Sequence, residues 1–173
     1  GAEAFIKIYE ETLAMVKEVE HLTINPADYA YEITKTGKRD DSVENYRIHR
    51  QKQAGLYYVE YHPAGGDANV EHLLAALDYA VTLDQVEARI APDQALFFIN
   101  LTADEARKIA ELTDDSAEND FRRSVSCVGS TICQIGMQDS NGLLKDIFAH
   151  LEEKGIDTRK LPRLHISGCP HSC

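Results

Sequence analysis

Apolar and polar positions follow each other along this chain with two different periods. Four segments repeat their apolar residues every three or four positions, which predicts amphipathic helices. These segments are 1–20, 70–81, 103–112 and 141–154. Asn69 is a suitable N-cap for the second helix, and Thr102 with Glu105 forms the pattern of a capping box before the third.

Other runs are short and rich in aromatic and β-branched residues, which is typical of strands. They lie at 46–50, 55–61, 86–90, 95–101 and 164–167. From residue 55 the predicted order is strand, helix, strand, strand, helix, which is most of a ferredoxin-like α+β unit. Pro26 and the glycine-containing, charged residues 36–42 predict a solvated connection before this unit.

Composition narrows the class of protein. The chain has 173 residues, 43% of them hydrophobic, which is enough for a sizeable core. Its net charge of −11 and the lack of a long basic stretch argue against a nucleic-acid partner. No run approaches the roughly 18 apolar residues of a membrane span, and the start lacks the pattern of a signal peptide. We therefore expect a cytoplasmic protein with no membrane partner.

All four cysteines fall in the last third of the chain. Cys127 and Cys133 are separated by five residues, and Cys169 and Cys173 by three. Small neighbours such as Gly129 and Gly168 would let backbone and sulfur approach a ligand closely. Four thiolates in two pairs could hold either zinc or an iron–sulfur cluster, and the wide first spacing favours the larger cluster over zinc.

The cysteine segments CVGSTICQIGMQDS and ISGCPHSC resemble the cluster-binding signature of the sirohaem-dependent nitrite and sulfite reductases. The segments RQKQAGLYYVEY and ARIAPDQALFFINL resemble the ferredoxin-like half-domain of that family. The resemblance covers residues 46–173. It implies three parts: an N-terminal helical segment and linker (1–45), a ferredoxin-like half-domain (46–113), and part of an α/β domain that binds a [4Fe-4S] cluster and sirohaem (114–173).

The resemblance also implies roles for individual residues. Cys127, Cys133 and Cys169 would be cluster ligands, and Cys173 would be both a cluster ligand and the thiolate that bridges to the sirohaem iron. The macrocycle is rich in carboxylates and the substrate is an anion, so cationic and amide side chains are needed around them. Catalytic candidates are Arg50, Lys52 and Arg123. Candidates for binding the sirohaem are Arg89, Gln94 and Arg122. An arginine on a strand is nevertheless most often a solvated charge.

The implied activity is multi-electron reduction of nitrite to ammonia or of sulfite to sulfide, with electrons from a ferredoxin or an NAD(P)H flavoprotein. Family members continue beyond the fourth cysteine and contain two such halves, so we expect a fragment or compact form that is inactive alone. Ala91 stands where the family usually has threonine. Two alternatives stay open: an electron-transfer module with a cluster and no sirohaem, and a zinc-stabilised interaction module.

Overall fold

The computed structural model describes residues 1–19 and 32–172. The end of the first predicted helix, Pro26 and Cys173 therefore lie outside the described residues. The chain divides into two compact units, Gly1–Glu32 and Ile33–Cys173. The first contains helix α1 (Ala2–Val19), where the apolar period predicts it. Within the described residues, no helix combines the length and the apolar character needed to cross a membrane.

A four-stranded antiparallel sheet forms the centre of the second unit. Its strands are β1 (Ile48–Arg50), β2 (Tyr57–Tyr61), β3 (Glu87–Ile90) and β4 (Leu96–Leu101), in the spatial order β1-β2-β4-β3. Helix α2 (Val70–Ala80) connects β2 to β3, and helix α3 (Ala103–Leu112) follows β4. The predicted strand, helix, strand, strand, helix order is confirmed. Strand β1 takes the edge place that the last strand of a β-α-β-β-α-β unit would fill.

The predicted capping residues cap both helices of the second unit's sheet region. The Asn69 side chain accepts hydrogen bonds from the N–H groups of Glu71 and His72, which caps α2. The Glu105 carboxylate accepts from the Thr102 N–H at 2.7 Å, which caps α3. Strand β1 begins later than predicted, because the Asn45 side chain accepts from the N–H groups of Arg47 and Ile48 and holds a turn there.

The main core lies between the sheet and helices α2 and α3. Alternation along the strands sends Tyr57 and Phe98 into this core, where both are fully buried. Their neighbours Tyr58 and Phe97 lie on the opposite face of the sheet, with ring centroids 5.7 Å apart. Arg47 is also buried, and its guanidinium donates to the carbonyl oxygens of Ala110 and Thr113 at the end of α3, where the helix dipole favours a cation.

The predicted solvated connection at 36–42 is packed against the sheet region. The Lys35 ammonium lies 2.7 Å from the Glu105 carboxylate, and only 8% of the Lys35 side chain is exposed. Gly37 approaches so closely that a Cβ on it would lie 2.3 Å from the Gly55 carbonyl oxygen. Most residues of 36–42 are nevertheless exposed, as a solvated connection requires, so the prediction is confirmed for this stretch, while its neighbour Lys35 and its Gly37 fasten it to the sheet region.

The remaining elements of the second unit form a smaller layer. They are β5 (Val125–Ser126), α4 (Ser140–Glu153) and β6 (His165–Ile166). Strands β5 and β6 are parallel. Phe121, Leu144 and Phe148 form the buried centre of this layer. Together with the antiparallel sheet, this confirms the predicted α+β class, a ferredoxin-like half followed by an α/β part.

Candidate functional site

The two cysteine segments meet at one edge of the parallel strand pair. Val125 pairs with His165 and Ser126 with Ile166, so both strands leave the pair in the same direction. The Cys127 N–H donates to the Ile166 carbonyl at 3.1 Å and extends this pairing by one residue. The pairing therefore places the first cysteine of one motif beside the start of the other.

Backbone contacts that only glycine permits hold the two segments together. The Gly168 carbonyl accepts from the N–H groups of Met137 and Gln138, both at 3.0 Å. A Cβ on Gly168 would lie 2.6 Å from the Gln138 carbonyl oxygen. Gly129 has φ 64° and would clash with the same oxygen at 2.7 Å. A larger side chain at Gly168 would separate the cysteine segments, and one at Gly129 would distort the first segment itself.

The Cys127 thiol lies among hydrogen-bond donors. The Ser140 hydroxyl is 3.0 Å from its sulfur, and the Gly168 N–H donates to it at 3.2 Å. These bonds, the Ser140 hydroxyl first, lower the pKa of Cys127 below its ordinary value. They favour the thiolate, which is the form of cysteine that binds metal. Ser140 was not singled out from the sequence, although it ends the motif quoted above.

The sulfur atoms of the described cysteines are spread apart. Cys127, Cys133 and Cys169 are free and half-buried. Within the described part of the chain, these three sulfurs do not all lie within 4.8 Å of one another. A tetrahedral zinc ion with Zn–S bonds of about 2.3 Å would require sulfurs roughly 3.8 Å apart. The three described sulfurs are therefore farther apart than the ligands of a preassembled zinc site.

A cavity of about 870 Å³ opens beside the cysteine segments. Cys127 and Gln94 both line it, so the structure brings these two predicted residues together. The Gln94 side chain donates to the Ser126 carbonyl at 2.6 Å, one residue before Cys127. Gln94 has φ 65°, and its Oε1 atom is buried with no hydrogen-bond partner among the described residues. The turn between β3 and β4 is thus fastened to the first cysteine segment.

The predicted cationic residues are dispersed. Arg123 lies closest to the cavity, since its guanidinium is 2.9 Å from Asp93 in the cavity wall and 2.6 Å from the buried Glu60. Arg122 points elsewhere: it donates to Glu152 and lies 4.9 Å from the centre of the Phe148 ring.

Three further candidates lie on the strands or beside them. Arg89 is exposed on the edge strand β3 and pairs with Glu87 at 2.8 Å. Arg50 and Lys52 line a different cavity, of about 380 Å³, between β1 and β2. Arg50 pairs with Glu44 and lies 3.5 Å from Asp41. Among the described residues, Cys127 and Gln94 therefore line one cavity, and Arg50 and Lys52 line another.

Known proteins with similar sequences are reductases. The chain is 32% identical to a ferredoxin–nitrite reductase of Synechococcus elongatus over 73% of its own length and 25% of that protein. It is 28% identical to the sulfite reductase [NADPH] hemoprotein beta-component of Lysinibacillus sphaericus over 58% of this chain and 19% of the relative. It is 29% identical to the nitrite reductase (NADH) large subunit of Escherichia coli over 77% of this chain and 16% of the relative.

The fold is also known. The structure of the Mycobacterium tuberculosis NirA protein matches 74% of this chain and 25% of its own, with a TM-score of 0.63 and 23% identity. No protein-family model matches the sequence. The chain spans a quarter or less of the length of these relatives.

Proposed function

This chain belongs to the nitrite and sulfite reductase family, and from that premise we propose that it is the segment of such an oxidoreductase that holds its [4Fe-4S] cluster and part of its sirohaem site. The whole enzyme would reduce nitrite to ammonia or sulfite to sulfide in the cytoplasm, with electrons from a ferredoxin or an NAD(P)H flavoprotein. The observation that carries the proposal is the meeting of the two cysteine segments around Cys127.

The residues fit the cluster. Cys127, Cys133 and Cys169 supply thiolates from segments that glycine contacts hold side by side, and Cys173 would supply the fourth. The Gly168 N–H already donates to the Cys127 sulfur, as donors around iron–sulfur ligands do, and the Ser140 hydroxyl lies 3.0 Å from the same sulfur. When bound, the cluster and the sirohaem supply the electrons and the iron at which the anion is reduced.

The polar and cationic candidate residues would bind the sirohaem carboxylates or the substrate anion and orient them. Gln94 has a buried amide oxygen without a partner among the described residues, and this oxygen could accept a hydrogen bond from a ligand. Arg123, held by Glu60 and Asp93, places a cation beside this cavity. Arg50 and Lys52 form the second cationic site, for carboxylates or for the anion. We further propose that Arg89 and Arg122 bind the sirohaem in the whole enzyme.

We also propose that the chain comprises three parts: an N-terminal helical segment and linker (1–45), a ferredoxin-like half-domain (46–113) and part of the cluster- and sirohaem-binding domain (114–173).

One observation favours a second candidate, an electron-transfer module with a cluster and no sirohaem. Arg50, Arg89 and Arg123 are each paired with carboxylates of this chain. Cations that are already neutralised attract a further carboxylate less strongly. Ala91, which offers no hydroxyl group, points in the same direction.

Absorption spectroscopy of the chain after anaerobic reconstitution with iron, sulfide and sirohaem tests the proposal. We expect sharp macrocycle bands that shift when nitrite or sulfite is added, together with broad cluster absorption. Cys127→Ser should remove the cluster absorption, whereas Ser130→Ala, at an exposed position in the same segment, should not. Cluster absorption without macrocycle bands would favour the second candidate. Absorption that Cys127→Ser leaves unchanged would exclude both.

The substitution Cys173→Ser tests whether the Cys173 thiolate would bridge the cluster and the sirohaem iron. We expect this change to uncouple the sirohaem from the cluster while leaving the thermal unfolding midpoint nearly unchanged, because the thiolate would connect two groups and not two parts of the core. Full cofactor content with coupled redox behaviour in Cys173→Ser would show that the bridging assignment is wrong.

A further inference from the structure

Asn100 has an unusual place in strand β4. Between the pairs Tyr57–Leu101 and Val59–Phe98, β4 has one residue more than β2, which is a β-bulge. Asn100 lies in this bulge with φ 64°, and only 1% of it is exposed. A buried residue other than glycine in the left-handed region costs free energy, and such residues persist where surrounding contacts fix them.

The contacts that fix Asn100 come mainly from Gln51. The Asn100 N–H donates to Gln51 Oε1 at 2.6 Å, and Gln51 Nε2 donates back to Asn100 Oδ1 at 3.1 Å. Asn100 Nδ2 donates to the Gln85 carbonyl at 2.8 Å. The two side chains are thus joined by a reciprocal pair of hydrogen bonds. Since Asn100 is buried, an unpaired N–H there would be costly.

Gln51 stands between the two cationic residues of the second site. The loop that carries it joins β1 to β2 and is closed by the Gln51 N–H, which donates to the Leu56 carbonyl at 2.9 Å. From outside the loop, the Gly37 N–H donates to the Ala54 carbonyl at 3.2 Å. The Gln51 side chain is the anchor of this loop to the bulge in β4.

We propose that Gln51 and Asn100 are positioning residues that fix the Arg50 and Lys52 loop, so that both cations are presented together to a carboxylate-bearing or oxyanionic ligand. Neither residue touches the ligand in this proposal. The β-bulge in β4 holds Asn100 in a fixed position, and the hydrogen bonds between Asn100 and Gln51 fix the loop relative to it. The inference rests on the proposed function, which assigns anion binding to Arg50 and Lys52.

The test compares Gln51→Met with a matched control, Gln53→Met. Gln53 is an exposed glutamine in the same loop, and its side chain makes one long contact, 3.3 Å to Gln51. Sirohaem, whose carboxylates are the probe, is titrated into the 173-residue chain and followed by its absorption. Amide hydrogen exchange at Gln51 and Leu56 reports order in the loop, and amides of β2 and β4 report the fold as a whole.

Gln51→Met should weaken sirohaem binding about tenfold, the effect of two lost hydrogen bonds. It should also accelerate exchange at Gln51 and Leu56 and leave the β2 amides protected. Gln53→Met should do neither. A loss that merely followed destabilisation would instead track the unfolding midpoint.

Other outcomes separate the inference from the function on which it rests. If Arg50→Met weakens binding but Gln51→Met does not, the cation binds the probe and the positioning role is wrong. If exchange in the loop is unchanged in Gln51→Met, the anchor is not what orders it, and the inference is also wrong. If neither Arg50→Met nor Gln51→Met alters binding, the assigned anion site fails and the inference fails with it.

Discussion

The sheet region (residues 43–113) and the cysteine region (residues 114–172) are held together differently. Twelve buried residues form the core of the first, between one face of a four-stranded sheet and two helices. Three buried side chains form the core of the second, whose strand pair is two residues long. Order in the cysteine region relies on backbone hydrogen bonds at Gly168 and on side chains that reach the sheet.

The difference in core size indicates that the two regions contribute unequally to the stability of the second unit. The sheet region has the larger buried core, so we expect its packing to contribute most of the stability of the second unit. The cysteine region has the smaller core, and the proposed ligation of its thiols would add stability, because ligand binding to the folded state stabilises it. A rigid scaffold with a less stable, cofactor-dependent layer is the arrangement that this contrast predicts.

Removing a core ring from the sheet region should have the largest effect. Phe98→Ala empties a fully buried position and should lower the free energy of unfolding by about 3–5 kcal/mol. Urea unfolding followed by circular dichroism measures it. Phe97→Ala, on the opposite and partly exposed face, is the control and should cost about 1 kcal/mol. Equal losses would contradict the placement of the core on one face.

Removing a core ring from the cysteine region should destabilise that region and leave the sheet region unaffected. Phe148→Ala removes the ring that packs on Phe121 at 5.5 Å, and should lower the free energy of local opening by about 2–3 kcal/mol. Hydrogen exchange should rise in α4 while β2 and β4 stay protected. Leu143→Ala, on the same helix and 50% exposed, should change little. If the sheet amides opened equally, the two regions would be one cooperative unit.

A smaller, pH-dependent effect should come from the ion pair that joins the regions. Burial raises the pKa of Glu60 above 4.5, and the nearby Arg123 offsets part of the rise. The folded state therefore binds this proton more tightly than the unfolded state. The contribution of Glu60 to stability is complete below about pH 4.5 and declines as pH rises through its folded pKa.

Glu60→Gln, which cannot ionise, should remove this decline, so that the variant gains stability relative to the parent as pH rises. Unfolding midpoints between about pH 4 and 7 measure the difference. Glu111→Gln, at an exposed helical position, serves as the control. A variant that lost stability relative to the parent toward neutral pH would show that the pair is net stabilising when charged.

Patterns within a short stretch predicted most of the fold. Helix α2 with its Asn69 cap and the strands on either side of Pro92 follow from local periodicity and turn chemistry. The partners of charged residues could not be predicted this way. Lys35 meets Glu105 across 70 residues, and such a contact leaves no period in the sequence.

The same limit applies to the candidate site. The cysteine spacing indicated the cluster because the ligands recur within a short motif. Gln51 and Asn100, by contrast, are an ordinary glutamine in a loop and an asparagine within an apolar strand. Only the bulge that the folded sheet imposes makes them partners. The division of site residues between two cavities likewise depends on tertiary structure.

Strand β1 fills the edge of the sheet from the N-terminal side, so all four strands lie before residue 102, ahead of every cysteine. During synthesis, which proceeds from the N-terminus, the chain can complete this sheet while Cys169 is still within the ribosome. The proposed cluster would then be inserted beside a sheet that has already folded.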